Sequence, residues 1–237
     1  MAGRGARFSQ AGYEVPKPLI PVLGQPMYVW ALKSLPLELA DRLIFLCLAE
    51  HLRNYSLEAD ILQRYKKHNV TVIPVADVTE GQACTVLLAR EYINNDSGLM
   101  IHNADSYFRS RLSEMVRGVT KDIDGIISVF EATEEKWSFV RINECGYVVE
   151  VAEKKPISTW ATTGMYYFCR GRDFVSAAEE MVARNMRVNN EFYLGPAYNL
   201  LIAQGKRIIP DAVDEMWCMG TPEDVQHFLA SYRGNKG

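Results

Sequence analysis

Residues 2–27 read AGRGARFSQAGYEVPKPLIPVLGQPM, and the spacing of glycine, arginine and lysine in this stretch decides how the rest of the chain is read. Gly3 and Gly5 admit positive φ and a close approach of backbone to a ligand, so successive N–H groups can face phosphate oxygens. Arg7 adds a forked cation at the rim. Lys17 stands between Pro16 and Pro18, whose fixed φ angles present the ammonium from a stiffened, extended segment. A GxG alone also fits a frayed terminus, but a frayed terminus needs no framed lysine. Residues 1–33 hold Arg4, Arg7, Lys17 and Lys33 against one acid, Glu14, in a chain whose net charge is -3.

Outward from this loop, short β-branched runs alternate with amphipathic stretches, the pattern of βαβ units that build a largely parallel sheet. Strands are expected at 42–49, 70–76, 98–104 and 125–132, with helices near 26–35, 56–67, 82–94 and 110–118. After residue 136 come close-set strands, SFVRIN, GYVVEVAE and GMYYFCR, with NECG as a turn between the first two. Helices follow at about 173–184, 191–204 and 222–232, and KRIIPDAVDEMWCMG reads as strand or extended loop. The expectation is one α/β domain over 1–237, a Rossmann-like mixed sheet sandwiched by helices. Its nucleotide-binding half is expected at about 1–135 and its acceptor-binding half at about 136–237.

Composition excludes several classes. At 237 residues, 48% apolar and 23% charged, the chain is an ordinary globular protein, and a net acidic charge does not suit one that coats nucleic acid or anionic membrane. The five cysteines show no CxxC pairing and the four histidines are dispersed, so reduced thiols and no zinc or histidine-based metal site are expected. The longest apolar run, Leu43–Ala49, is far below the roughly 20 residues that span a bilayer, and the first residues lack an apolar secretory core. A cytoplasmic location is the expectation.

With its further motifs the chain resembles the sugar-phosphate nucleotidyltransferases, the nucleoside-diphosphate-sugar pyrophosphorylases, whose front end is a GxGxR segment followed by PKPL and a G-x-P-M turn. EGQACTVLLA (80–89) resembles the segment that holds the nucleobase, IHNADSYF (101–108) the strand end whose Asp binds metal, and VVEVAEKKP (148–156) the EKP segment beside the acceptor. ATTGMYYF (161–168) resembles the TG-x-Y strand and MGTPEDVQHFL (219–229) the closing GTPEDL helix start, while NNEFYLGPAYNLLIAQGK is most similar to members tied to capsule and surface-polysaccharide synthesis.

The resemblance implies a reaction in which a phosphorylated acceptor attacks the α-phosphorus of a nucleoside triphosphate and pyrophosphate leaves. Two polyanions must meet, so fixed cations, N–H dipoles and a divalent metal are what the catalyst needs. It implies Ala2, Gly3 and Gly5 with Arg7 on the β- and γ-phosphates, Lys17 on the α-phosphate, and Gly81, Gln82 and Ala83 around the base. Asp105 would hold Mg²⁺, Lys154 the acceptor phosphate with Lys155 as competitor, and Glu153, Thr163 and Gly164 the acceptor pocket. Trp160, Trp217 and Tyr193 are open between acceptor contact and core. A sugar 1-phosphate is the expected acceptor and phosphocholine an alternative. Two rival readings are a glycosyltransferase using a nucleotide sugar and a non-catalytic binding homologue.

Two departures from the family pattern stand out. Where relatives carry a second metal-binding Asp, this chain has Cys218, leaving Asp214, Glu215 or Glu191 as substitutes. Only Met1 and Ala2 precede Gly3, too few for the roughly five- or six-residue strand that delivers such a loop, so Met1 is expected to be internal to a longer reading frame.

Overall fold

The computed structural model describes residues 1–234. In chain order its elements are α1 (Ala6–Gln10), β1 (Pro21–Val22), β2 (Gln25–Pro26), α2 (Met27–Leu32), β3 (Leu43–Leu48), α3 (Ala49–Asn54), α4 (Leu57–Arg64) and β4 (Val70–Val75). There follow α5 (Gln82–Leu87), α6 (Arg90–Ile93), β5 (Leu99–His102), β6 (Ser106–Arg109), α7 (Leu112–Gly118), β7 (Gly125–Glu131), β8 (Ser138–Ile142), β9 (Val148–Glu153) and β10 (Trp160–Phe168). The last are α8 (Gly171–Ala183), α9 (Ala197–Ala203), β11 (Ile208–Ala212), β12 (Glu215–Cys218) and α10 (Pro222–Ser231). The expected helix at 82–94 is two short helices, and the one expected at 191–204 starts only at Ala197.

Two compact units form, Met1–Ala76 with Asn103–Arg109 and the chain from Asp214, and Asp77–His102 with Ser110–Val213, so the chain crosses between them at 76/77, 102/103, 109/110 and 213/214. In the first unit β3 and β4 pair in parallel, and β6 pairs antiparallel with β12. Alternate apolar residues of β3 bury against Tyr28, Leu57 and Ile61. A second cluster gathers Phe8 of α1, Ile20, Met27, Trp30, Tyr107 of β6, Met219 and Phe228 of α10, tying the N-terminal segment to the closing helix. Residues 1–5 carry no helix or strand, and Ala2 is buried against Leu48 and Val75.

The second unit is organised on β10. Its sheet runs β11-β7-β10-β8-β9, with β5 also on β10, and only the β11–β7 pair is parallel. The sheet is therefore mixed, with more antiparallel pairing than the strand and helix alternation suggests. Tyr198 of α9 stacks on Phe168 at 4.4 Å between ring centroids, and Asn199 pairs its side-chain amide with the N–H and C=O of Val151. That amide satisfies backbone groups of β9 that the ladder leaves open and fixes the strand leading to Glu153.

Helix α10 opens on a capping box: the Asp224 N–H donates to Thr221 Oγ1 at 3.2 Å, and the Thr221 N–H donates to Asp224 Oδ2 at 3.0 Å. Thr221→Ala is expected to lower stability by about 1 kcal/mol, seen as a lower urea midpoint at unchanged m-value. No helix among the described residues is long and apolar enough to cross a membrane.

Candidate active site

In the first unit Gly5 adopts φ 63 and ψ 35, the left-handed conformation that glycine accepts without penalty, and from it α1 begins. A Cβ on Gly5 would lie 2.9 Å from the Cβ of Lys17, so glycine here leaves room for the start of the lysine side chain. Lys17 starts a single 3₁₀ turn after Pro16, and its Nζ donates to Asp105 Oδ2 at 2.5 Å and to the Gly220 carbonyl at 3.1 Å. Asp105 is fixed in turn, since its carbonyl accepts from the Met219 N–H at 2.7 Å. Lys17 and Asp105 side chains keep 21% and 29% of their exposure, so the pair is held yet open to ligand. Three separate stretches of sequence thus meet at one ammonium. Gly3 and Arg7 are exposed nearby in sequence, with open space around Gly3.

In the second unit Gly81 caps α5 with φ 143, and a Cβ there would sit 2.4 Å from the carbonyl oxygen of Phe192. The Phe192 N–H donates to the Glu80 carbonyl at 2.9 Å, and the Ala83 N–H donates to the Phe192 carbonyl at 3.0 Å. Gln82 begins the helix and Ala83 is buried. At the end of β9 Glu153 accepts from the Ser138 hydroxyl; burial raises its pKa and that hydrogen bond partly offsets the rise. Lys154 takes φ 53, which costs a side-chain-bearing residue energy, and its Nζ donates to the Tyr193 hydroxyl at 2.8 Å. That bond, more than the opposing desolvation, raises the Lys154 pKa. Thr163 and Gly164, with φ 87, lie within an irregularity of β10 between Thr162 and Tyr166. Lys155 is exposed and has no side-chain partner among the described residues.

The sequence profile of the family described as Nucleotidyl transferase matches residues 1–193. The chain belongs to that family. A solved nucleoside-diphosphate-sugar pyrophosphorylase from Vibrio cholerae RC9 is 26% identical, covers 97% of this chain and 98% of its own, and superposes with a TM-score of 0.82. A bifunctional protein GlmU of Methanococcus aeolicus and a glucose-1-phosphate thymidylyltransferase of Neisseria meningitidis are each 24% identical over 70% of this chain. The chain spans 38% and 58% of the lengths of those two relatives.

For a nucleotidyl transferase the substitution at Cys218 matters, because β12 pairs Cys218 with Ser106 and so places it beside Asp105. Burial first, then the charges of Asp105 and Asp224, pushes the Cys218 thiol up to about 12, and its sulfur is a soft donor where a hard cation takes oxygen. Asp214 and Glu215 sit at the other end of this ladder: Glu215 pairs with Arg109 at 2.5 Å, some ~10 Å along a four-residue strand from Cys218. Glu191 lies in the second unit, where its charge acts on Lys154 and Tyr193. The carboxylate that sequence reading missed is Asp224, whose Oδ2 is 3.5 Å from the point where a Gly220 Cβ would stand, with Asp105 Oδ2 3.9 Å from the same point. The helix signature at 219–229 held that signal, but an acid at N3 of a helix is first of all a cap. Among the described residues no three His, Cys, Asp or Glu side chains are placed to hold a metal. This donor set fits Mg²⁺ in the mode where one protein carboxylate, Asp105, acts together with substrate phosphates. Trp217 packs against His227, Phe228 and Tyr232 and belongs to the core, whereas Tyr193 reaches Lys154.

Proposed function

We propose that this chain is a cytoplasmic enzyme that transfers a nucleoside monophosphate from a nucleoside triphosphate to a sugar 1-phosphate, acting as one nucleotidyltransferase domain. An oxygen of the acceptor phosphate forms a bond to the α-phosphorus, the bond from that phosphorus to the bridging oxygen breaks, and pyrophosphate carries away the electron pair. The observation that carries the reading is the Lys17 ammonium fixed 2.5 Å from Asp105 and 3.1 Å from the Gly220 carbonyl. Such a cation costs no reorganisation when charge builds on the α-phosphate. In this reading Arg7 with the N–H groups at Gly3 and Gly5 steadies the leaving pyrophosphate. Gly81, Gln82 and Ala83 hold the base, while Lys154 with Glu153, Thr163 and Gly164 receives the acceptor. Mg²⁺ held through Asp105 would neutralise phosphate charge. Likeness of 189–206 to capsule-associated members supports a role in surface-polysaccharide precursor synthesis.

The test is pyrophosphate release with each nucleoside triphosphate, Mg²⁺ and a panel of sugar phosphates, phosphocholine included. Release with one sugar 1-phosphate is the expected result; silence across the whole panel would sink the reading. Asp105→Asn is expected to cut turnover by at least about 10²-fold. The wild type with nucleotide is expected to gain Tm on addition of Mg²⁺, and Asp105→Asn to lose that gain.

A further inference from the structure

We propose that Tyr193 is a second hydrogen-bond donor to the acceptor's phosphate and the residue that positions Lys154 for it; this rests on the reading of Lys154 as the acceptor lysine. Lys154 Nζ donates to the Tyr193 oxygen at 2.8 Å, and the ammonium lies 5.0 Å from the centre of that ring. Because the lysine is the donor, the phenolic hydrogen points elsewhere, and no acceptor for it occurs among the described residues. An ammonium with two remaining hydrogens and a phenol with one make a short row of donors, the complement of phosphate oxygens.

The rest of the local structure holds this row in place. Asn189 and Asn190 take φ 48 and φ 65, and Val188 and Glu191 exchange backbone hydrogen bonds around them, a tight turn of the primed type. Arg187 lies 4.0 Å over the Phe192 ring, pairs with Glu80 and donates to the Asn190 carbonyl at 3.0 Å. Phe192 is locked between Glu80 and Ala83 by backbone hydrogen bonds, so Tyr193 leaves a fixed point. On the other side Lys154 is held by its N–H to the Trp137 carbonyl at 2.9 Å. A left-handed backbone at Lys154 is a strained arrangement that aims the side chain at Tyr193. Without the hydroxyl, the long lysine chain regains rotamers and one phosphate donor is lost.

Tyr193→Phe tests this with the ring kept. In the pyrophosphate assay the KM for the acceptor should rise about tenfold, as for loss of one charge-assisted hydrogen bond, with the KM for the nucleoside triphosphate and the Tm unchanged. In a Lys154→Met background the same change should add a smaller rise of about threefold, because the donor to phosphate is still lost while there is no lysine left to position. Unchanged acceptor KM in Tyr193→Phe, or equal effects in both backgrounds, would overturn the proposal. A titration independent of turnover uses inorganic phosphate and calorimetry. The binding component lost in Lys154→Met should weaken about tenfold in Tyr193→Phe, and a component that Tyr193→Phe leaves intact, or no such component at all, counts against it. If the wild type releases no pyrophosphate with any pair, the catalytic reading fails while the phosphate titration still decides the role of Tyr193.

Discussion

Lys17→Ala is expected to lower the rate of pyrophosphate release by about 10²–10³-fold, with kcat and kcat/KM falling together. The reasoning begins with placement. Pro16 and the 3₁₀ turn set the direction of the side chain, Gly5 leaves room for its Cβ, and Asp105 with the Gly220 carbonyl fixes its end. A cation so held gains little by binding substrate more tightly and most by meeting charge that appears in the five-coordinate state. Folding should be little affected, because at 21% and 29% exposure water can replace the ammonium beside Asp105. Lys17→Arg should not restore the rate, since a planar guanidinium cannot stand as a point charge between a carboxylate and a carbonyl. The measurement is steady-state turnover beside urea unfolding of each variant. Turnover unchanged in Lys17→Ala would favour the glycosyltransferase reading, which has no use for this lysine.

Legibility in the sequence followed the physics of each element. Strands β3, β4, β7 and β10 were readable because runs of β-branched and aromatic residues leave few alternatives, whereas Lys17, expected in an extended segment between its two prolines, starts a 3₁₀ turn. The interleaving of the two units was not readable, since it depends on β5 pairing with β10 and β6 with β12, and pairing partners far apart leave no local mark. Residues 191–196, expected to open a helix, differ for a definable reason. Apolar spacing there suits a helix, but Asn189 and Asn190 at positive φ followed by Gly195 and Pro196 delay it to Ala197, and the freed segment docks Phe192 against the 80–83 loop. Residue type left Tyr193 open between acceptor contact and core, and its hydroxyl meets Lys154. At Cys218 the residue type alone announced a lost carboxylate, but only the register with Ser106 shows that the thiol occupies the place beside Asp105.

The same docked segment makes Gly81→Ala the substitution with the largest expected structural effect. At φ 143 a side-chain-bearing residue is strained before any contact is considered. The added methyl would then meet the Phe192 carbonyl oxygen at 2.4 Å and its nitrogen at 2.5 Å. Neither can step aside cheaply, because both are engaged in backbone hydrogen bonds to Glu80 and Ala83, and Arg187 covers the ring. Strain and overpacking together should cost about 3 kcal/mol, a fall in Tm of roughly 6–12 °C for a chain of this size. The functional signature separates this variant from Tyr193→Phe: displacing Phe192 disturbs the 80–83 loop and Tyr193 at once, so the KM values for nucleotide and acceptor should both rise. Gly3→Ala is the control, since nothing lies within 4 Å of the added methyl, and its Tm should match the wild type. Should Gly81→Ala melt with the wild type and keep both KM values, the close packing of the 80–83 loop on Phe192 would not be the feature that couples that loop to Tyr193.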